Sequence, residues 1–226
     1  MKQKVSVPFM LLGILFNVCL IAANLLETKV IQVFGITVTA GLLVFPISYI
    51  INDCIAEVWG FRKARLIIWS GFAMNFFCGN AGTDSRGVAC RPFLGCAAHF
   101  NFVFGMAPRI VIASLTAFLV GSFLNAYVMS RMKLASNGRN FSARAIWSTV
   151  VGETADSLIF FPVAFGGIIA WRELLVMMCI QILLKSMYEV LILPVTIRVV
   201  KAIKRIDGSD VYDEGISYKV WKIGDI

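Results

Sequence analysis

Six stretches of this chain are apolar over lengths near the roughly 20 residues that carry a helix across a bilayer: 7–26, 36–58, 64–78, 108–130, 145–169 and 174–200. No other property restricts the fold as strongly. Lipid offers no partner to a free backbone N–H or C=O, so a spanning segment must satisfy its own, and the helix does so most simply. The expected fold is an all-α integral membrane protein, a bundle of about six transmembrane helices. Composition agrees: 59% of residues are hydrophobic and 15% charged, against about 25% charged in a typical soluble domain. One transmembrane domain is expected over residues 1–205. Residues 206–226 are polar and turn-rich and read as a cytoplasmic tail, partly disordered, with no site in it. The basic start and apolar run of MKQKVSVPFMLLGILFNVCLIAANLL resemble a signal peptide. The run is too long for one and others follow, so it reads as the first span. Pro46 is a candidate kink in the second span, and Pro108 suits a helix start.

The cations between the runs are strongly one-sided. Lys2, Lys4, Arg62, Lys63, Arg65, Arg131, Lys133, Arg139, Arg144, Arg198, Lys201, Lys204, Arg205, Lys219 and Lys222 fall on one side; Lys29, Arg86, Arg91, Arg109 and Arg172 fall on the other. With six spans both termini share the first side, which the positive-inside rule makes cytoplasmic. The net charge of +8 is explained this way, and nucleic acid is not an expected partner. Of the six cysteines none forms a C-x-x-C pair, and His99 is the one histidine. Metal-ligand spacing and implied disulfides are therefore absent. With no His pair and no G-x-S-x-G, the spans carry no catalytic constellation, and neither an enzyme nor a cofactor is expected. Trp59, Trp69, Trp147 and Trp171 suit interfacial belts.

Residues 78–98, CGNAGTDSRGVACRPFLGCAA, fit neither a membrane helix nor a tidy loop. Apolar periodicity stops at Phe77 and resumes at Phe100. They read either as an irregular external loop capping the bundle or as a local frameshift in the gene, opened near Cys78 and closed near His99. The second reading is preferred, because codons exist that would give an apolar run in the neighbouring frame.

Ionisable residues inside the apolar runs carry the functional information. The second span holds Asp53 and Glu57, four apart and on one helix face, with Asn52 beside them; the fifth holds Glu153 and Asp156. Lys185 and Glu189 in the sixth form an i,i+4 pair, and Asn24, Glu27, Thr28 and Lys29 lie about the end of the first. A carboxylate at the centre of a membrane helix costs about 2.5–3.5 kcal/mol on insertion scales, and such residues mark solute or ion pathways. Each pair also has a structural reading. Asp53 and Glu57 can snorkel or pair with Arg62 or Arg65, Lys185–Glu189 can lock two helices, and Glu153 and Asp156 can pack helices by hydrogen bonds. Over the three spans five carboxylates face Lys185 alone. Some must therefore be protonated, hydrated or matched by a cationic or donor-rich solute. Tyr49, Phe160, Phe161 and Tyr188 are aromatics near enough in sequence to stack on a planar ligand.

Taken in order, NLLETKVIQVFG, FPISYIINDCIAEVWGFRKAR, FNFVFGMAPRIVIASLTAFLVGSFLNAYVMSRMK, RAIWSTVVGETADSLIFFPVAF and LLKSMYEVLILPVTIRVVK resemble the queuosine precursor transporter (VUT) family. The resemblance runs from residue 8 to 205 and fails at 78–98, where members have an apolar, Trp- and Pro-containing stretch. It implies a bundle similar to the substrate-binding components of energy-coupling-factor transporters. It also implies import across the inner membrane of 7-deazaguanine bases such as preQ0 and preQ1, precursors of a modified tRNA base. Under that reading Asp156 or Glu153 recognises the ring, Asp53, Lys185 and Glu189 bound the polar cavity, and Asn24 and Asn52 add hydrogen bonds. The partners implied are the solute, the bilayer and, as one energy source among others, a separate energising module. No P-loop occurs in the chain, so an ion gradient, another ATPase or downstream trapping supplies the energy. Import of another vitamin-like or cationic solute, with protons, is the alternative; a passive role in a larger complex is a third.

Overall fold

The computed structural model describes residues 5–26, 29–33, 36–86, 97–104 and 108–222. Helix α1 (Val7–Leu26) leads into a two-stranded antiparallel hairpin, β1 (Val30–Val33) and β2 (Ile36–Thr39), registered Val30 to Thr39 and Val33 to Ile36. A 3-10 turn at Ala40–Leu43 precedes α2 (Phe45–Arg86), and the short α3 (Ala97–Phe104) precedes α4 (Pro108–Ala135), α5 (Phe141–Phe165) and α6 (Trp171–Asp207). Apart from that hairpin the architecture is a helical bundle. Among the described residues four helices are long and apolar enough to cross a membrane: Val7–Leu26, Ala40–Ser85, Ile112–Ala135 and Trp171–Asp207. At 25 residues and about 1.5 Å per residue, α5 also has the length.

Ala40–Ser85 is not one crossing. Along α1, Phe9 packs on Trp59 at 5.2 Å, Phe16 and Leu20 meet Gly71, and Asn24 donates to Asn75, so α1 and residues 61–86 run the same way. Residues 45–59 run oppositely, alongside α4: Tyr49 lies at Gly121, Asp53 at Asn125, and Glu57 at Lys133. The reversal is Gly60, with φ 79° and ψ 177°, a backbone state open to glycine alone. On the same argument α5 ascends from Glu57 past Asp53 to Tyr49, and α6 descends from Phe45 to Glu57. Counting the halves of α2 separately, α1, α2, α4, α5 and α6 make six passes among the described residues.

Several boundaries differ from expectation. Residues 36–39 are strand rather than helix, as Ile36, Thr37, Val38 and Thr39 are all β-branched. Pro46 sits in the first turn of α2, where its missing N–H costs nothing, and the sharp turn comes at Gly60 instead. Of the irregular stretch 78–98, residues 78–86 continue α2 and 97–98 open α3, while 87–96 lie outside the described residues, as do Glu27 and Thr28. Trp59 is buried and donates to Asp207 at 2.6 Å, and Trp69 donates to the Val220 carbonyl at 3.0 Å, so neither is a simple interfacial anchor.

The tail departs most from expectation. Residues 208–222 fold back as a strap along α2 and α4. The Val211 N–H donates to the Val58 carbonyl, Arg65 reaches the carbonyls of Ser217 and Lys219, and Tyr218 stacks edge-on against Phe61 and Tyr127. Its anchor is the buried Asp213. The turn at Gly60 leaves the first N–H groups of the second half of α2 without intrahelical partners. Asp213 caps that helix start from 152 residues away, accepting from the Phe61 N–H at 2.8 Å and from the Ser130 hydroxyl at 2.5 Å. Asp213→Ala removes the cap and should cost about 2 kcal/mol, within the usual range for caps. Thermal unfolding in detergent should show a lower midpoint, and an unchanged midpoint would mean the cap is redundant.

Candidate solute-binding centre

Two levels of buried charge lie inside the bundle. At the basic end Glu57 of α2 is enclosed by cations from three other helices. Arg144 of α5 binds it in a two-pronged fashion, at 2.5 and 3.1 Å, and Lys204 of α6 donates at 2.7 Å. Lys133 of α4 donates to the Glu57 backbone carbonyl at 2.5 Å and stands 3.9 Å from its carboxylate. Glu57 is thus held by Arg144 and Lys204 from other helices, and its charge is matched. Both lysines also donate to Asp210 of the strap, at 2.5 and 2.8 Å. Burial pushes the Asp210 carboxyl upward, yet hydrogen bonds from Lys133 and Lys204 hold it below the usual carboxylate range.

One turn further in, the charges do not cancel. The 3.6-residue period sets Tyr49, Asn52 and Asp53 on one face of α2, and Ser148, Gly152, Glu153 and Asp156 on one face of α5. Packing turns both faces inward, where Lys185 and Glu189 of α6 meet them. Lys185 does not serve Glu189 first: it donates to Glu153 at 2.7 Å, stands 3.6 Å from Asp156, and lies over the Phe45 ring at 4.3 Å. Glu189 instead faces the Asp53 carboxyl and Thr149. Asp53 accepts from Asn125 at 2.8 Å and from Ser148 at 3.4 Å through one oxygen, while the other meets no donor among the described residues. Glu153 Oε1 is in the same position. Asn52 donates to the Ser122 carbonyl at 3.2 Å, tying α2 to α4, and its own Oδ1 has no donor among the described residues.

All four carboxyls are buried, Asp156 being the most open at 9% exposure. Asp53, Glu153, Asp156 and Glu189 against Lys185 leave the centre three negative charges in excess if every group is ionised. Such an excess in a low dielectric is untenable unless protons or an incoming cation or donor relieve it. The centre therefore presents more acceptors than donors among the described residues. Among the described residues no three His, Cys, Asp or Glu side chains converge to hold a metal ion.

Of the site residues expected from sequence, the structure gathers Asp53, Asn52, Glu153, Asp156, Lys185 and Glu189. Asn24 lies apart, bonded to Asn75 and Ser114 near the opposite end of α1. Ser114 is about 10 Å along α4 from Gly121 at the helical rise. Asn125, Ser148 and Phe45 belong to the centre and were not anticipated. Each had a weak signal, an amide or hydroxyl within an apolar run or an aromatic at a helix start.

Comparison with known proteins places these elements in a family. A family model described as "Putative vitamin uptake transporter" matches residues 39–199, which hold every residue of the centre. A "Probable queuosine precursor transporter" of Bacillus subtilis (strain 168) is 30% identical over 164 residues, 66% of this chain and 65% of that protein. The "Queuosine precursor transporter" of Escherichia coli (strain K12) is 26% identical over 160 residues, 70% of this chain and 67% of that protein. A third relative, a "Probable queuosine precursor transporter" of Haemophilus influenzae, is 28% identical over 139 residues, 58% of this chain and 54% of that protein. The matched part thus spans about two thirds or less of each relative's length. No solved structure matches. With the family model covering well over half of its length, this multi-pass membrane chain belongs to the vitamin uptake transporter family, the family of the queuosine precursor transporters.

Proposed function

We propose that this chain imports 7-deazaguanine precursors of queuosine, such as preQ0 and preQ1, across the inner membrane, with both termini cytoplasmic and the acidic centre as the solute site. The names of its relatives support the solute class, and the one-sided cations support the orientation. The observation that carries the site is Glu153: fully buried, bonded to Lys185 through one oxygen, with the other oxygen meeting no donor among the described residues. A guanine-like ring presents an N–H and an amino group side by side, and a carboxylate accepts such a pair with two charge-assisted hydrogen bonds. Glu153 or Asp156 takes that edge. Asp53, Glu189 and Lys185 set the polarity around it, Asn52 adds a hydrogen bond, and Tyr49 and Phe45 offer ring faces. Asn24 belongs to a separate polar contact.

A second reading, import of another vitamin-like or cationic solute together with protons, draws on the excess of buried carboxyls over the single Lys185. One experiment separates the two. Cells unable to make queuosine precursors, expressing this chain and fed each precursor at nanomolar levels, should regain queuosine in their tRNA. No rescue by any precursor, with the protein present in the membrane, would favour the other solute. Rescue only after residues 78–98 are restored to the neighbouring reading frame would identify that stretch as the fault.

A further inference from the structure

The acidic centre and the basic end of the bundle are separated by a single helical turn. Glu57 follows Asp53 by four residues on α2, and Arg144 precedes Ser148 by four on α5. In that turn four helices and the strap are tied together by groups almost wholly withdrawn from solvent: Arg144, Lys133 and Glu57 are 1%, 2% and 1% exposed. Surface ion pairs of a positive-inside loop are not built this way. The Lys133 ammonium spends all three of its N–H donors inside the cluster, on the carbonyls of Glu57 and Val211 and on the carboxylate of Asp210. Two of those three acceptors belong to the strap. Asp210 is the least enclosed member, its side chain 44% exposed, so it is the ion-pair partner most easily withdrawn.

The geometry points to this cluster as the inner gate of the transporter, with the strap as its latch. A solute moving from the centre toward the basic end meets Glu57, Arg144, Lys133 and Lys204 directly below Asp53. Passage requires those four side chains to part, and they are held by contacts from α2, α4, α5, α6 and the strap together. The cluster carries three cations against two carboxylates, so it also presents a surplus positive charge to the acidic centre above it. Release of Asp210 frees a donor of Lys133 and one contact of Lys204 at once. That makes strap undocking and loosening of the helix ends one event. Asp213, which caps the second half of α2, keeps the strap tethered while Asp210 moves. This inference rests on the chain being a transporter but not on which solute it carries.

The chain contains its own reporter. Cys54, 2% exposed, lies on α2 between Asp53 and Glu57, packed in the apolar core beside the cluster. In inside-out vesicles holding the full chain, a membrane-impermeant maleimide is applied from the basic side. Modification at Cys54 is then followed by mass spectrometry of the peptide. Asp210→Asn, which leaves the Asp213 cap intact, should speed labelling of Cys54 at least tenfold over the unaltered chain and raise efflux of preloaded solute. Lys133→Met should do the same. Labelling at the unaltered rate in Asp210→Asn and Lys133→Met, with both proteins folded by their thermal midpoints, would overturn the gate. Because labelling needs no solute, faster labelling without transport of any queuosine precursor sustains the gate and refutes the assigned solute. Normal precursor uptake with unchanged labelling does the reverse.

Discussion

Replacing whichever of Asp156 and Glu153 takes the ring edge, as Asp156→Ala or Glu153→Gln, should lower uptake by at least about 100-fold while leaving the protein in the membrane. Hydrogen bonds to charged groups are worth about 1.5–3 kcal/mol each, and a carboxylate reading a guanine-like edge makes two. Losing both corresponds to a factor of about 100 or more, since about 1.4 kcal/mol is tenfold. Glu153→Gln is the sharper test, because the amide keeps the shape and one acceptor but loses the charge that holds Lys185 at 2.7 Å. Uptake of radiolabelled precursor and the amount of membrane-inserted protein, measured on the same cells, separate loss of recognition from loss of folding. Lys185→Met is the informative contrast. It leaves Glu153 and Asp156 without their counter-charge, and breaking a buried pair from one side costs about 3–5 kcal/mol. It should therefore reduce the amount of folded protein as well as transport. Unchanged uptake in both Asp156→Ala and Glu153→Gln would place ring recognition elsewhere in the bundle.

The membrane-helix class and the charged faces were legible in the chain because each depends on one segment at a time. Apolar length marks a span, and i,i+3 or i,i+4 spacing puts Asp53 with Glu57 and Glu153 with Asp156 on common faces. What periodicity does not contain is which face meets which. Lys185 and Glu189 look like partners on α6, yet packing gives Lys185 to Glu153. Glu57, counted with the acidic excess on sequence alone, is neutralised by Arg144 and Lys204, cations from distant segments that read as loop charges. The strap was hidden for a related reason. IDGSDVYDEGISYKVWKIGDI has the composition of a disordered tail, and the order of residues 208–222 comes from partners far off in the chain: Lys133 and Lys204 for Asp210, the Phe61 N–H for Asp213, and Trp69 for Val220. Polarity reports that such a segment avoids lipid, not that it is loose.

The contact between α4 and α5 that aligns the centre should be equally intolerant of added bulk. Gly121 and Gly152 face each other closely, with the Tyr49 side chain against both. A Cβ on Gly152 would lie 2.9 Å from the Gly121 carbonyl oxygen, 3.0 Å from Asn125 Cβ and 3.1 Å from Tyr49 Cε1. A Cβ on Gly121 would meet the Gly152 carbonyl oxygen at 2.9 Å and Asp156 Cβ at 3.1 Å. Backbone atoms cannot rotate away as a side-chain tip can, so the helices themselves must part. Close approach through small residues is what packs helices in lipid, where no hydrophobic force drives them together. The neighbours at stake are Asp53's donor Asn125, the ring of Tyr49 and the carboxylate of Asp156, so separating these helices dismantles the centre from two sides. Gly152→Val should abolish uptake and broaden or abolish the monodisperse peak on size exclusion in detergent, with Gly152→Ala intermediate. Gly79 is the control: it lies in helix α2 with nothing within 4 Å of an added Cβ, and Gly79→Ala should leave both readouts unchanged or slightly improved, as alanine is the better helix former by about 1 kcal/mol. A Gly152→Val protein that still transports would show that the acidic centre does not depend on the register of α4 against α5.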